Sequence, residues 1–165
     1  MTYWHDRQDL FYYRVVRKWL ESFGACGTLM DVGCADTPVA QYGDFLERIA
    51  VNDRPFPPLD GVECIQADWM DCNLNAHIIT CLQVLEHFET DYLRAFVDKI
   101  FRSSCVSIIS VPYLWPADCC EHHRQDPINI GKFLQLMGRE PIKLEIVQDS
   151  SRKRLVALFE NGSPE

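Results

Sequence analysis

Acidic and glycine residues recur just after apolar runs along the first half of this chain. Asp31, Gly33, Cys34, Ala35 and Asp36 end or follow the run from Thr28, and Asp53 closes Ile49-Ala-Val-Asn. Asp68 and Trp69 follow the run 62–67, and Gln83, Val84, Leu85, Glu86 and His87 end or follow the run from His77. Carboxylates placed this way accept hydrogen bonds from ribose hydroxyls and an exocyclic amine, and they repel phosphate. The pattern therefore favours a nucleoside ligand without a phosphate over a dinucleotide. His87 is either a helix-entry residue held by backbone or a substrate-facing group titrating near neutral pH.

A second cluster lies between Tyr113 and Asp126, where Trp115, Cys119, Cys120, Glu121, His122 and His123 crowd one loop. Imidazole, thiolate and carboxylate could together ligate zinc, but adjacent His and adjacent Cys lack the usual spaced pairs, so no metal is expected. The alternatives are a lid that brings His122 or His123 over a substrate as general base, and a surface loop whose Asp126-Pro127 caps the following helix. Tyr113 and Trp115, just past a strand, are expected to line a pocket.

Periodicity supplies the elements that must position these groups. Apolar residues at three- and four-residue spacing predict helices over 7–23, 90–102 and 128–137, and Thr37-Pro38 opens another running to about Arg48. Continuous apolar runs predict strands at 28–34, 49–53, 62–67, 77–83 and 105–111, then 142–147 and 155–159. Alternating strands and helices imply a parallel sheet with helices on both faces. The last two strands are joined by too short a turn for a parallel crossover and must be antiparallel. The expectation is a Rossmann-like, doubly wound α/β fold: a mostly parallel seven-stranded sheet with an antiparallel C-terminal pair. Residues 1–165 read as a single domain, with 1–27 a helical cover, 28–113 the ligand-binding core, and 114–165 the substrate-side loop, helix and strand pair. Tyr3, Trp4, Arg7, Tyr12 and Tyr13 either fold over the ligand or pack on the sheet.

Composition narrows the function classes. The 165 residues are 47% hydrophobic and 24% charged, with a formal net charge of -8, which argues against an extended nucleic-acid surface. Eight cysteines include several in apolar runs, where a free thiol acts as a small hydrophobe. The polar, aromatic start shows no secretory leader, and no run is long enough to span a membrane. A reducing, cytoplasmic setting is expected.

DVGCADTP at 31–38, AVND at 50–53, QADW at 66–69 and CLQVLEHF at 81–88 resemble, in order, the motifs of class I S-adenosyl-L-methionine-dependent methyltransferases. The resemblance covers roughly 28–113. The stretch from VPYLWP through HHRQDP to GREP resembles small bacterial methyltransferases of unassigned substrate. The family implies that Gly33 lets the backbone approach the methionine end of the cofactor, with Asp31 and the amides of Cys34 and Ala35 holding its polar groups. Asp53 would take the ribose hydroxyls and Asp68 the adenine amine, with Trp69 stacking near the ring. Gln83, Val84 and His87 would lie beside the sulfonium and the entering acceptor. From the residues themselves, His87, His122, His123 and Tyr113 are the candidate catalytic groups. The implied activity is methyl transfer to an oxygen or nitrogen of a small-molecule, sugar or lipid-linked acceptor. The alternative is a cofactor-binding partner subunit without turnover. Two motif glycines are replaced by Ala35 and Thr37, and alanine is strained at positive φ. Only the first glycine of a GxGxxG loop stands, which disfavours a nicotinamide enzyme.

Overall fold

Strands in the order β3-β2-β1-β4-β5-β7-β6 form one sheet in the computed structural model, which describes residues 2–164. They are β1 (Cys26–Val32), β2 (Phe45–Asn52), β3 (Glu63–Gln66), β4 (Ala76–Leu82), β5 (Ser104–Tyr113), β6 (Lys143–Asp149) and β7 (Arg152–Glu160). The first five run parallel, whereas β7 pairs antiparallel with both β5 and β6, as the short connection requires. The order reverses between β1 and β4, so the crevice beyond their carboxyl ends is where such a sheet binds ligands.

Among the described residues three α-helices cover the sheet, one on one face and two on the other. Helix α1 (Phe11–Glu21) buries Tyr12, Tyr13, Val16, Trp19 and Leu20 against Leu29, Ile78, Ile108 and Val156. Helices α2 (Thr90–Arg102) and α3 (Ile130–Met137) bury Leu93, Phe96, Ile100, Phe133 and Leu136 against Met30, Ile79, Ile109 and Leu155. Neighbouring residues Leu29 and Met30 thus serve opposite cores, the period-two consequence of a strand buried on both sides. The start of α1 is held from a distance: Asp149 Oδ1 accepts from the amides of Phe11 and Tyr12.

The helix expected from Pro38 to Arg48 does not form. A single 3-10 turn, Val39–Gln41, stands there, and β2 already begins at Phe45. Two features stop the helix. Gly43 sits at φ 67, where a Cβ would lie 2.7 Å from the Phe45 ring and 3.1 Å from the Leu20 carbonyl oxygen. The Arg48 guanidinium donates to the carbonyls of Ala40, Tyr42 and Gly43 at 2.9, 3.1 and 2.7 Å, replacing the amides a helix would supply. Thr37 is accordingly no helix cap. Asp126 is none either, because α3 is capped by Asn129, whose Oδ1 accepts from Lys132 N at 2.8 Å.

All eight cysteines, which lie among the described residues, are unpaired. No helix among those residues is long and apolar enough to cross a membrane.

Candidate active site

A cavity of about 450 Å³ opens at the carboxyl ends of β1 to β4, a volume in the range of pockets for small molecules and cofactors. Asp31, Gly33, Asp53, Asp68, Gln83, Val84 and His87 all border it, so residues spread over some fifty positions meet at one rim.

The β1 loop is tied down by β2. Gly33 N donates to Val51 O at 2.8 Å, Cys34 N to the same oxygen at 3.4 Å, and Ala35 N to Asn52 Oδ1 at 3.2 Å. These amides are therefore engaged within the protein, although Gly33, Cys34 and Ala35 all border the cavity. Gly33 has φ +73, and a Cβ there would fall 2.5 Å from Val84 Cγ2. Ala35 adopts φ 49, so the strain expected at this replaced glycine is present. The Cys34 thiol is buried with Ala40 and Ala50, and that burial pushes its pKa up.

Asp31 is 2% exposed and accepts from Thr80 Oγ1 at 2.6 Å and Thr37 Oγ1 at 3.4 Å. Desolvation raises its pKa to about 7, against the partial offset of those two hydroxyls. Thr37, which stands where the motif has glycine, thus supplies a donor to the buried acid. Asp36 accepts from Trp4 N at 2.7 Å and anchors the N-terminal segment, which brings Tyr3 and Tyr13 to the cavity wall.

Asp53 lies one residue past β2, exposed at the cavity. Asp68 caps the 3-10 turn Trp69–Asp71 through Oδ1, which accepts from Met70 N at 2.8 Å. Trp69 is 3% exposed and packs in the core beside α2, so it forms wall and presents no open stacking face. The aromatic surface at that end comes instead from Phe88 and Tyr92, with centroids 4.9 Å apart and the Tyr92 hydroxyl 3.5 Å from Asp68. Both border the cavity; Phe88 closes the run CLQVLEHF and Tyr92 falls in the first turn of α2, and neither was given a site role from the sequence.

Lys99 of α2 holds this corner. Its Nζ donates to the carbonyls of Trp69, Met70 and Cys72 at 2.7, 2.8 and 2.5 Å and lies 4.8 Å from the Trp69 ring centroid. Lys99→Met keeps the stem but orphans three carbonyls. It should lower stability by about 2–3 kcal/mol, read as a shift of the urea midpoint at unchanged m.

Beyond β4, Gln83 takes φ 58, and its side chain bridges Ser110 Oγ (3.2 Å) and Arg154 Nε (3.2 Å). Arg154 in turn pairs with Asp149 at 2.9 Å, both side chains buried. His87 and His122 both border the cavity, whereas Tyr113 and His123 are not brought to it. His87 Nδ1 lies 3.1 Å from His122 O, and desolvation by its surroundings holds its pKa below the usual value. The Tyr113–Asp126 loop is docked on this turn: Glu86 O accepts from Arg124 N at 2.7 Å, and Gln125 Nε2 donates to Phe88 O at 2.7 Å. Trp115 Nε1 donates to Lys153 O at 2.8 Å, outside the cavity. Glu86 itself is buried, 1% exposed.

No protein-family model matches the chain, and no curated protein matches it in sequence. Solved structures match it in fold. The N-methyltransferase NodS from Bradyrhizobium japonicum WM9, in complex with S-adenosyl-L-homocysteine, aligns with a TM-score of 0.72 and 13% identity over 92% of this chain and 86% of that one. Magnesium protoporphyrin IX methyltransferase from Synechocystis PCC 6803, with bound S-adenosylmethionine, gives 0.65 and 14% over 90% and 78%. A chain of the Haloferax volcanii complex containing the Trm112 methyltransferase activator gives 0.75 and 9% over 98% and 92%. The fold is that of class I methyltransferases.

Proposed function

We propose that this chain binds S-adenosyl-L-methionine in the β1–β4 cavity and transfers its methyl group to an oxygen or nitrogen of a small-molecule, sugar or lipid-linked acceptor. The observation that carries this reading is the meeting of Asp31, Gly33, Asp53 and Asp68 on one rim, with Gly33's bare edge against Val84. That set fits the cofactor: three separated acids, a tight glycine turn packed on Val84, and an aromatic corner from Phe88 and Tyr92. Bound there, the cofactor supplies an electrophilic methyl group.

The residues have distinct tasks in this reading. Asp53 accepts from the ribose hydroxyls, Asp68 from the adenine amine through the oxygen not spent on Met70, and Asp31 faces the methionine amine. Gln83, fixed by Ser110 and Arg154, and Val84 shape the wall beside the acceptor. Holding nucleophile and methyl in line accounts for much of the acceleration. His87 or His122 takes the acceptor's proton where the nucleophile must lose one. Unpaired cysteines fit a reducing compartment such as the cytoplasm.

A second reading, a cofactor-binding subunit that acts only beside a partner, is favoured by the strained Ala35 in the glycine loop. Calorimetry decides the common premise. Binding of S-adenosylhomocysteine in the micromolar range, weakened at least tenfold by Asp53→Ala, is the expected result. Absence of heat with either cofactor form would sink both readings. Turnover on an acceptor panel by the isolated chain then separates them.

A further inference from the structure

We propose that Glu86, His87 and His123 form a binding site for one divalent transition-metal ion at the back wall of the cavity. One ligand atom from each residue lies within 4.8 Å of the others. Sequence spacing hid this set, because Glu86 and His87 sit on the 3-10 turn Leu85–His87 after β4, and His123 comes from the loop after β5.

Both imidazoles are prepared in the way metal ligands are. His87 Nδ1 lies 3.1 Å from the His122 carbonyl oxygen, which can only accept, so Nδ1 carries the proton and Nε2 the lone pair. His123 Nδ1 lies 2.5 Å from Asp126 Oδ2, a buried carboxylate that fixes the ring and leaves Nε2 as donor to an ion. A carboxylate or carbonyl behind each ligating imidazole is the arrangement that orients histidines on metals. The two rings meet edge to face at 4.9 Å, and Trp115 stacks on His123 at 5.7 Å.

Glu86 supplies the independent observation. Its Oε2 is buried and has no hydrogen-bond partner, and an unanswered buried polar atom is costly whether or not the acid is ionised. The backbone of the same residue locks the site, since Glu86 O accepts from Arg124 N at 2.7 Å and from Gln125 N at 3.3 Å. That clamp holds the loop carrying His123 against the turn carrying Glu86 and His87.

Two imidazole nitrogens and one carboxylate oxygen suit Zn²⁺, and also Mn²⁺, Fe²⁺ or Co²⁺. Metal–ligand bonds of about 2.0–2.2 Å put tetrahedral ligands roughly 3.4 Å apart, so side-chain movements of about an ångström close the set. Three protein ligands leave a position open, and His87 borders the cavity while Glu86 lies behind it. The open position would take water or an oxygen of the acceptor; this last clause rests on the methyl-transfer reading, whereas the ion site does not.

The test uses the full chain, stripped with a chelator and dialysed. Mn²⁺ and Zn²⁺ are titrated separately by calorimetry, and Co²⁺ by its visible absorption. The expected result is one ion per chain, with affinity reduced at least tenfold by Glu86→Gln or His123→Ala and about 10- to 100-fold by Asp126→Asn. The Cys119→Ser/Cys120→Ser double variant excludes thiolate capture and should bind as the wild type does. Wild-type protein that takes up no stoichiometric ion overturns the proposal. So does uptake that survives His123→Ala or disappears in the double cysteine variant. Circular dichroism on each variant checks folding, and S-adenosylhomocysteine titration of the metal-free wild type reports the cofactor reading separately.

Discussion

Gly33→Val protein gives no heat with S-adenosylhomocysteine at concentrations that saturate the wild type. The φ of +73 costs a side-chain-bearing residue about 1–2 kcal/mol, and a β-branched residue suffers most. The larger effect is steric: the added Cβ lies 2.5 Å from Val84 Cγ2 and 3.3 Å from Val84 Cγ1. Valine must either push Val84 into the cavity or move the β1 loop, which the bonds to Val51 and Asn52 resist. A loss of at least a hundredfold in affinity is expected, about 2.7 kcal/mol or more. Gly33→Ala should show a smaller loss, and adding Val84→Ala should restore part of it, since the second change removes the obstructing methyls. Unaltered binding by Gly33→Val would mean that the cofactor does not approach this loop.

Acidification supplies the second large effect. Because burial lifts Asp31 to about 7, the unliganded protein carries it protonated below that pH. In the proposed binding mode the methionine ammonium pairs with the ionised form, so binding would expel a proton at lower pH. Affinity for S-adenosylhomocysteine should therefore fall up to tenfold per unit as pH drops below about 7, and level off above it. Stability runs the other way. The folded state holds the Asp31 proton over a range where the unfolded chain, with a pKa of 3.8, has lost it. Stability from this group is thus present below about pH 4, declines through the interval to about 7, and is flat above, with an upper bound of about 4 kcal/mol. Glu86, raised by burial to about 8, acts in the same direction, and His87, whose pKa is lowered, acts in the opposite one. The difference between wild type and Asp31→Asn isolates the aspartate. Urea midpoints of the two proteins across pH 4–9 should diverge in that window, and parallel curves would refute the assignment.

Fold and rim were legible because they rest on local pattern. The doubly apolar run at 77–83 could be little other than a central strand, and α2 coincides with its predicted 90–102. Asp31, Asp53 and Asp68 were found by the rule that ligands meet strand ends. What escaped detection depends on partners far along the chain. The helix after β1 failed because Arg48 reaches back for three carbonyls. Trp69 turned into the core because Lys99, thirty positions on, draws its turn inward. Asp126 serves His123, not α3, and Glu86 meets His123 only after two strands have paired. No periodicity records such meetings.

The missing helix after β1 has a consequence for ligand choice. In nucleotide-binding members of the doubly wound class, the helix that follows the first strand aims its positive macrodipole end at a phosphate. Here only the 3-10 turn Val39–Gln41 stands in that place, and acids ring the cleft. A polyanion thus finds no helix N-terminus at this edge, and a pyrophosphate-bearing nucleotide would have to rely there on Arg54 against Asp31, Asp53 and Asp68.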